Sequence, residues 1–251
     1  MWLEECRVSV VIPALNEASN LPLVLPRIPA WVSEVILVDG GSTDGTVDVA
    51  RTLWPQVRVV TQRAAGKGAA LRAGFAAATG DIIVMLDADG STDPREIPAF
   101  VGALLAGADL AKGSRFLQGG ATSDMPAHRK MGNGLFVTLV RMRFGGRFSD
   151  LCYGYNAFWR DVLPKLMLDC DGFEVETVMN IRALAGALRI VEIPSRESKR
   201  VYGAGRLRTI PDGWRVLKAI VREALRRSDM YAPSVLPAEH DAAMPSVRSS
   251  R

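Results

Sequence analysis

Asp87-Ala88-Asp89 closes the apolar run Ile82 to Leu86, and Gly90 follows it. Two carboxylates one residue apart at a strand end can share one divalent cation such as Mg2+ or Mn2+ through oxygen ligands. Phosphate and water would complete the shell. An ordinary acidic turn has the same composition, because Asp and Gly are both turn residues. Two further acidic groups follow apolar runs in the same way: Pro13-Ala14-Leu15-Asn16-Glu17 comes after RVSVVI, and Asp39 ends EVILV ahead of GGSTDGT. A carboxylate at such an exit can accept hydrogen bonds from a base or a ribose. As plain structure, Asn16 reads as the N-cap of a helix near Ala18, and Ser42 or Asp44 as the N-cap of the next. Gly66-Lys67-Gly68 opens a third helical stretch, where a cation and bare backbone could approach a phosphate; a plain helix start explains it as well. Neither a GxGxxG fingerprint after a strand nor a GxxxxGK[ST] loop is present.

These residues act together only if strand ends converge. Residues 7–13, 34–39, 57–61 and 81–87 read as buried strands, and 18–28, 44–53 and 68–79 as the helices between them. Such alternation predicts an α/β fold with a mostly parallel central sheet flanked by helices, its ligands outside the carboxyl ends of the strands. Further along, a strand at 109–113 leads to a glycine-rich loop (118–121) and a helix over 127–144. Helices over 160–168 and 174–185 and a strand over 188–194 follow. A last helix spans 212–227, with Trp214, Leu217, Ile220, Val221, Ala224 and Leu225 on one face and its basic residues opposite. The expected divisions are a main domain over 1–211, a basic amphipathic helix over 212–231 and a disordered tail over 232–251.

With 251 residues, 48% of them hydrophobic and 23% charged, the chain can bury a full core, which excludes disorder for most of it. The longest uncharged apolar runs, 100–108 and 134–140, fall short of the roughly 20 residues a bilayer requires. Glu4 and Glu5 stand where a signal peptide needs basic and apolar residues. Cys6, Cys152 and Cys170 show no paired spacing, so a reducing, cytoplasmic setting is expected. The formal charge of +4 is uneven: between Lys199 and Arg227, nine basic residues face only Asp212 and Glu223. That asymmetry points to an anionic partner, whether a phosphate, a membrane surface or nucleic acid. The acidic strand exits would repel a nucleic-acid backbone, so nucleic acid is not expected.

The order VVIPALNE, ILVDGGSTDGT, GKGAALRAG, DADG and GSR resembles the family 2 inverting glycosyltransferases of GT-A fold, more narrowly the dolichyl- or polyprenyl-phosphate mannose or glucose synthases. The resemblance spans roughly residues 7 to 210. It implies that Pro13, Asn16, Glu17 and Asp39 lie at the nucleoside of a nucleotide-sugar such as GDP-mannose, with Lys67 near its phosphates. Asp87 and Asp89 would hold Mg2+ or Mn2+ on the diphosphate, and Arg200 in RVYGAGRL would meet the pyrophosphate. Here Gly205-Arg206 replaces the family's usual Ser-Lys. At the acceptor end, the resemblance implies that Arg115, Arg129 and Asn133 grip the phosphate of a polyprenyl or dolichyl phosphate. Arginine suits this because its planar guanidinium makes paired hydrogen bonds to phosphate oxygens.

An alcohol acceptor needs a general base, whereas a phosphate monoester is largely dianionic at pH 7 and needs none. Asp150 is the carboxylate to serve an alcohol, and its segment DLCYGYNAF departs from the family's D-x-x-S-G-F-R. The alternative expectation is therefore a family 2 transferase using a soluble hydroxyl acceptor with Asp150 as base. Of the two histidines, His128 and His240, the second falls in the expected tail; Glu174 and Glu176 read as helix-start carboxylates. A lipid acceptor implies peripheral membrane contact, through the helix at 127–144 and the basic last helix, or through a membrane-anchoring partner protein.

Overall fold

The computed structural model describes residues 6–226. The expected tail, with His240, and Arg227 at the end of the last helix lie outside the described residues. Along the chain, β1 (Val8–Ala14) leads through α1 (Leu21–Val24) to β2 (Glu34–Asp39), then α2 (Thr46–Leu53), β3 (Arg58–Thr61), α3 (Lys67–Ala77) and β4 (Ile82–Met85). The second half runs α4 (Ile97–Leu105), β5 (Leu110–Ser114), β6 (Ala121–Thr122), α5 (Ala127–Phe144), β7 (Asn156–Trp159) and α6 (Leu163–Leu166). It ends with α7 (Val175–Ala185), β8 (Ile190–Pro194), β9 (Arg196–Glu197) and α8 (Thr209–Leu225).

Seven strands form one sheet in the order β3-β2-β1-β4-β7-β5-β8, parallel except for β7, which runs antiparallel between β4 and β5. The strands are continuous apolar runs because both faces are covered. Val10 and Ile12 point into the core that contains Leu37 and Phe100, while Val11 points to the opposite core with Ile36, Val38 and Phe75. That is the two-residue alternation of a strand buried on both sides. The chain steps outward from β1 to β2 and β3, then returns to place β4 on the other side of β1. The order thus reverses between β1 and β4, and a crevice opens there at the carboxyl ends. Ala14 lies beside Asp39 and Val11 beside Met85, so the exits of β1, β2 and β4 share one rim.

Several elements differ from expectation. The helix expected over 18–28 is only the turn of α1 followed by a 3-10 turn at Leu25–Arg27. Pro26 lacks the N–H that would bond back four residues, and its ring clashes with the Pro22 carbonyl. The helix expected over 160–168 is likewise split into a 3-10 turn, Arg160–Val162, and α6, which Met167 ends at φ 41°. Strand β7 is only four residues long, with a single apolar triplet, Ala157 to Trp159, too short to show a strand's periodicity. Helix α4 was visible only as the apolar run at 100–108.

Helix α8 turns a different face inward from the one expected. It buries Asp212, Val216, Ala219, Ile220 and Glu223 and leaves Trp214, Val221 and Leu225 exposed. On that inward face Glu223, itself buried, pairs at 2.9 Å with the fully buried Arg182 of α7, which also pairs with Asp169 at 2.7 Å. A buried carboxylate is costly unless paired, so this contact goes with the inward turn of Glu223. Val216 and Ile220 then join Val140 of α5 and Ile181 of α7 in a third apolar cluster.

Candidate active site

The loops after β1 and β2 are zipped together by side chains. Asn16, at φ 56°, accepts a hydrogen bond from the Thr43 N–H (2.8 Å), and its own N–H donates to Ser42 Oγ (2.9 Å). Asn16 is therefore a cross-loop bridge and not the expected N-cap. The N-cap of α2 is Gly45, with no side-chain cap; Asp44 instead accepts from the N–H groups of Ala18 and Thr46. Asp39, at the end of β2, is 8% exposed, and its carboxylate accepts from the N–H groups of Gly41 and Ser42. Pro13 is a β1 residue in register with Val38.

Beyond this bridge, four carboxylates and two cations interlock. Glu17, buried behind β1, accepts from Asn20 Nδ2 (2.7 Å) and from Arg200 Nη2 (2.6 Å). The other terminal nitrogen of Arg200 lies 3.5 Å from Asp89 Oδ2. Lys67, opening α3, sits 2.6 Å from Asp87 Oδ1 and 2.8 Å from Glu176 Oε1. Burial would lower the Lys67 ammonium's pKa, but Asp87 and Glu176 outweigh it and hold it well above the ordinary lysine range. Gly90, at φ 75°, turns the chain after the acidic pair, and the Ser91 N–H donates to Asp89 Oδ1. The segment carrying Arg200 is strapped over the crevice. The Ser198 N–H donates to the Ser91 carbonyl, Tyr202 exchanges hydrogen bonds with the Asn20 amide, and Arg206 donates to the Leu15 carbonyl.

A second charged cluster follows β5. Arg115 is 6% exposed and makes a paired contact with Asp150, Nε to Oδ2 at 2.7 Å and Nη2 to Oδ1 at 3.0 Å. Its remaining Nη1 donates to Glu197 (2.9 Å), and its plane lies over the Tyr153 ring. Asp150 is completely buried. Burial alone would raise its carboxyl pKa, but Arg115 outweighs burial and holds it below the usual range. Both Asp150 oxygens are thus committed, and the residue expected as a base is a clamp. Asn133 of α5 fixes the same segment by accepting from the Leu151 N–H at 3.0 Å. Arg129, one turn earlier, is half-buried and has no ion-pair partner among the described residues.

The two clusters meet through one segment. Asp150 begins it against Arg115, and Gly154 ends it against Lys67 and Asp87. A Cβ at Gly154 would stand 2.7 Å from Lys67 Nζ and 2.8 Å from Asp87 Oδ2, so any larger residue there would have to displace the ends of the paired Lys67 and Asp87 side chains. The structure brings together Glu17, Lys67, Asp87, Asp89 and Arg200, and separately Arg115, Asp150 and Asn133. Asp39 adjoins the first set only through the zipped loops. Sequence reasoning gives no sign of Gly154 or the Asn20–Tyr202 latch, and it makes Glu176 a further acidic candidate that reads first as a helix-start carboxylate; the sole signal is a second carboxylate in FEVE.

No group of three or more metal-ligating side chains gathers among the described residues. The donor set at Asp87 and Asp89 is two hard carboxylates at a strand exit. It fits a divalent cation that takes its other oxygens from a diphosphate, and does not fit a fully protein-caged ion.

The sequence model of Glycosyl transferase family 2 matches residues 9–167. The chain belongs to this family. The polyprenol monophosphomannose synthase of Mycolicibacterium smegmatis is 35% identical over 214 residues, covering 80% of this chain and 81% of its own. The undecaprenyl-phosphate mannosyltransferase of Micrococcus luteus is 35% identical over 213 residues, covering 80% and 87%. Among solved structures, the Mycobacterium tuberculosis glucosyl-3-phosphoglycerate synthase, in complex with Mn2+, UDP and glucosyl-3-phosphoglycerate, has a TM-score of 0.69 and 26% identity. It covers 88% of this chain and 81% of its own. The central sheet of this family 2 transferase is accordingly GT-A-like, as its sequence leads one to expect.

Proposed function

We propose that this family 2 transferase moves a hexose, mannose or glucose, from a nucleotide-sugar to a polyprenyl phosphate with inversion at the anomeric carbon. The carrying observation is the commitment of Asp150: the carboxylate expected to deprotonate an alcohol is locked in a paired ion contact with Arg115. A phosphate monoester brings its own charged nucleophile and needs cations instead of a base. Arg129, which has no ion-pair partner among the described residues, would hold it, and Asn133 keeps the neighbouring segment in place. Glu17 and Asp39 face the nucleoside end. Arg200 exchanges its contacts with Glu17 and Asp89 for the departing diphosphate, whose charge it offsets. Mg2+ or Mn2+, held by Asp89 with Asp87, would act as a Lewis acid on the diphosphate oxygens. The two mannosyltransferases named above, at 35% identity, support the lipid acceptor. The likeness to the glucosyl-3-phosphoglycerate synthase, at 26%, supports the second reading of a soluble acceptor.

One assay separates them. Protein with Mg2+ or Mn2+ and radiolabelled GDP-mannose or UDP-glucose should move label into the organic phase only when polyprenyl phosphate is added. Equal transfer to a water-soluble acceptor without lipid rejects the lipid reading.

Access to a lipid phosphate requires a surface contact, since no helix of the described residues is long and apolar enough to cross a membrane. Helices α5 and α8 pack together, Arg143 donating to the Ala224 carbonyl. Each exposes an apolar stripe: Met131, Leu135 and Met142 on α5, and Ile210, Trp214, Val221 and Leu225 on α8. Arg215, Lys218 and Arg222 run beside the second stripe, the pattern of a helix lying on an anionic leaflet. The protein alone should float with anionic liposomes at low salt and be released by high salt. Failure to float at low salt would leave contact to a membrane-anchoring partner protein.

A further inference from the structure

We propose that Glu176 is a positioning residue: its charge cancels that of Lys67, so that Asp87 keeps its negative charge for the donor-site cation. The proposal rests on the metal reading above and concerns residues that reading leaves unexplained. An ammonium 2.6 Å from Asp87 would by itself neutralise half of a two-carboxylate cation site. The same problem arises at Asp89, where Arg200 lies 3.5 Å away. Both are answered in one way. Each cation is shared with a second, buried carboxylate, Lys67 with Glu176 at 2.8 Å and Arg200 with Glu17 at 2.6 Å. Glu17, Asp87, Asp89 and Glu176 against Lys67 and Arg200 leave two net negative charges, which match one divalent ion.

A favourable position at the start of α7 does not account for Glu176. An exposed carboxylate serves a helix dipole equally well, whereas Glu176 is 4% exposed and a buried carboxylate is costly unless paired. The backbone of Gly154 packs directly against Lys67 and Asp87. With Lys67 12% and Asp87 29% exposed, charges set this close are only partly screened and act on a neighbouring ion.

The test is Mn2+ binding, read from the paramagnetic resonance of the free ion, with and without guanosine diphosphate. Glu176→Gln keeps the shape and a hydrogen bond to Lys67 but leaves the ammonium with Asp87 alone. Mn2+ affinity without nucleotide should fall about tenfold. The double variant Glu176→Gln with Lys67→Met removes both charges, restores the net balance and should bind Mn2+ within about threefold of the wild type. It leaves no buried ammonium short of a counter-ion, and Asp87, whose side chain is 29% exposed, can stay solvated, so the proposal remains testable should the single variant fold poorly. Unchanged Mn2+ affinity in folded Glu176→Gln, or a tenfold loss persisting in the double variant, overturns the proposal. Wild-type protein that takes up no Mn2+ with or without the nucleotide overturns the metal reading itself, a distinguishable outcome.

Discussion

Asp89→Ala should reduce sugar transfer by about 10³-fold, near 4 kcal/mol in the barrier, while the protein stays folded. Of the acidic pair, Asp89 has the looser ion contact. Asp87 is held by an ammonium at 2.6 Å, whereas Asp89 faces only a guanidinium at 3.5 Å that is bound more closely to Glu17. Alanine removes that charge where the departing diphosphate accumulates its own, and it releases the Ser91 N–H that fixes the turn at Gly90. It also frees Arg200 to rest on Glu17, away from the crevice. Little stability is at stake, because the Asp89 side chain is 25% exposed and its ion contact is long. Single-turnover transfer and a melting curve on the same preparation check both halves. Turnover within tenfold of the wild type would remove Asp89 from the chemistry.

The convergence at the rim was legible because it follows from strand physics alone. Strands buried on both faces are continuous apolar runs, and a parallel sheet puts its ligands at their carboxyl ends, so the acidic residues closing those runs had to share an edge. What each carboxylate does there was not legible. Whether Asp39 faces a ligand or its own loop depends on the turn at Gly41 and Ser42, and whether Asp150 is a base or a clamp depends on Arg115, thirty-five positions away. Such pairings are set by the sheet order, and that order hinged on β7, a strand too short to show a periodicity. The same limit misplaced the face of α8. The apolar pattern favoured Trp214 and Leu225, but the helix turns Glu223 inward against the buried Arg182, a pairing between distant residues.

Asp150→Asn separates the two acceptor readings most sharply. In the native state both Arg115 and the fully buried Lys112 lean on the Asp150 charge, the first through two hydrogen bonds and the second through the field across the segment. Neutralising it leaves Arg115 with Glu197 alone and should cost about 3–5 kcal/mol of stability, measured by urea unfolding. The pH dependence follows from the same pair. Because the folded carboxyl titrates below its unfolded value of about 3.9, its contribution is complete above that pH and is lost as pH falls through the folded value. The wild type should therefore lose stability steeply in acid, and Asp150→Asn should lose less over that range. At a temperature where the variant is still folded, a phosphate nucleophile predicts an acid limb near pH 6 in both proteins, set by the acceptor's second ionisation. Were Asp150 the base for an alcohol, the variant would in addition lose about 10²–10⁴-fold in rate and no longer show the limb that belonged to the carboxylate.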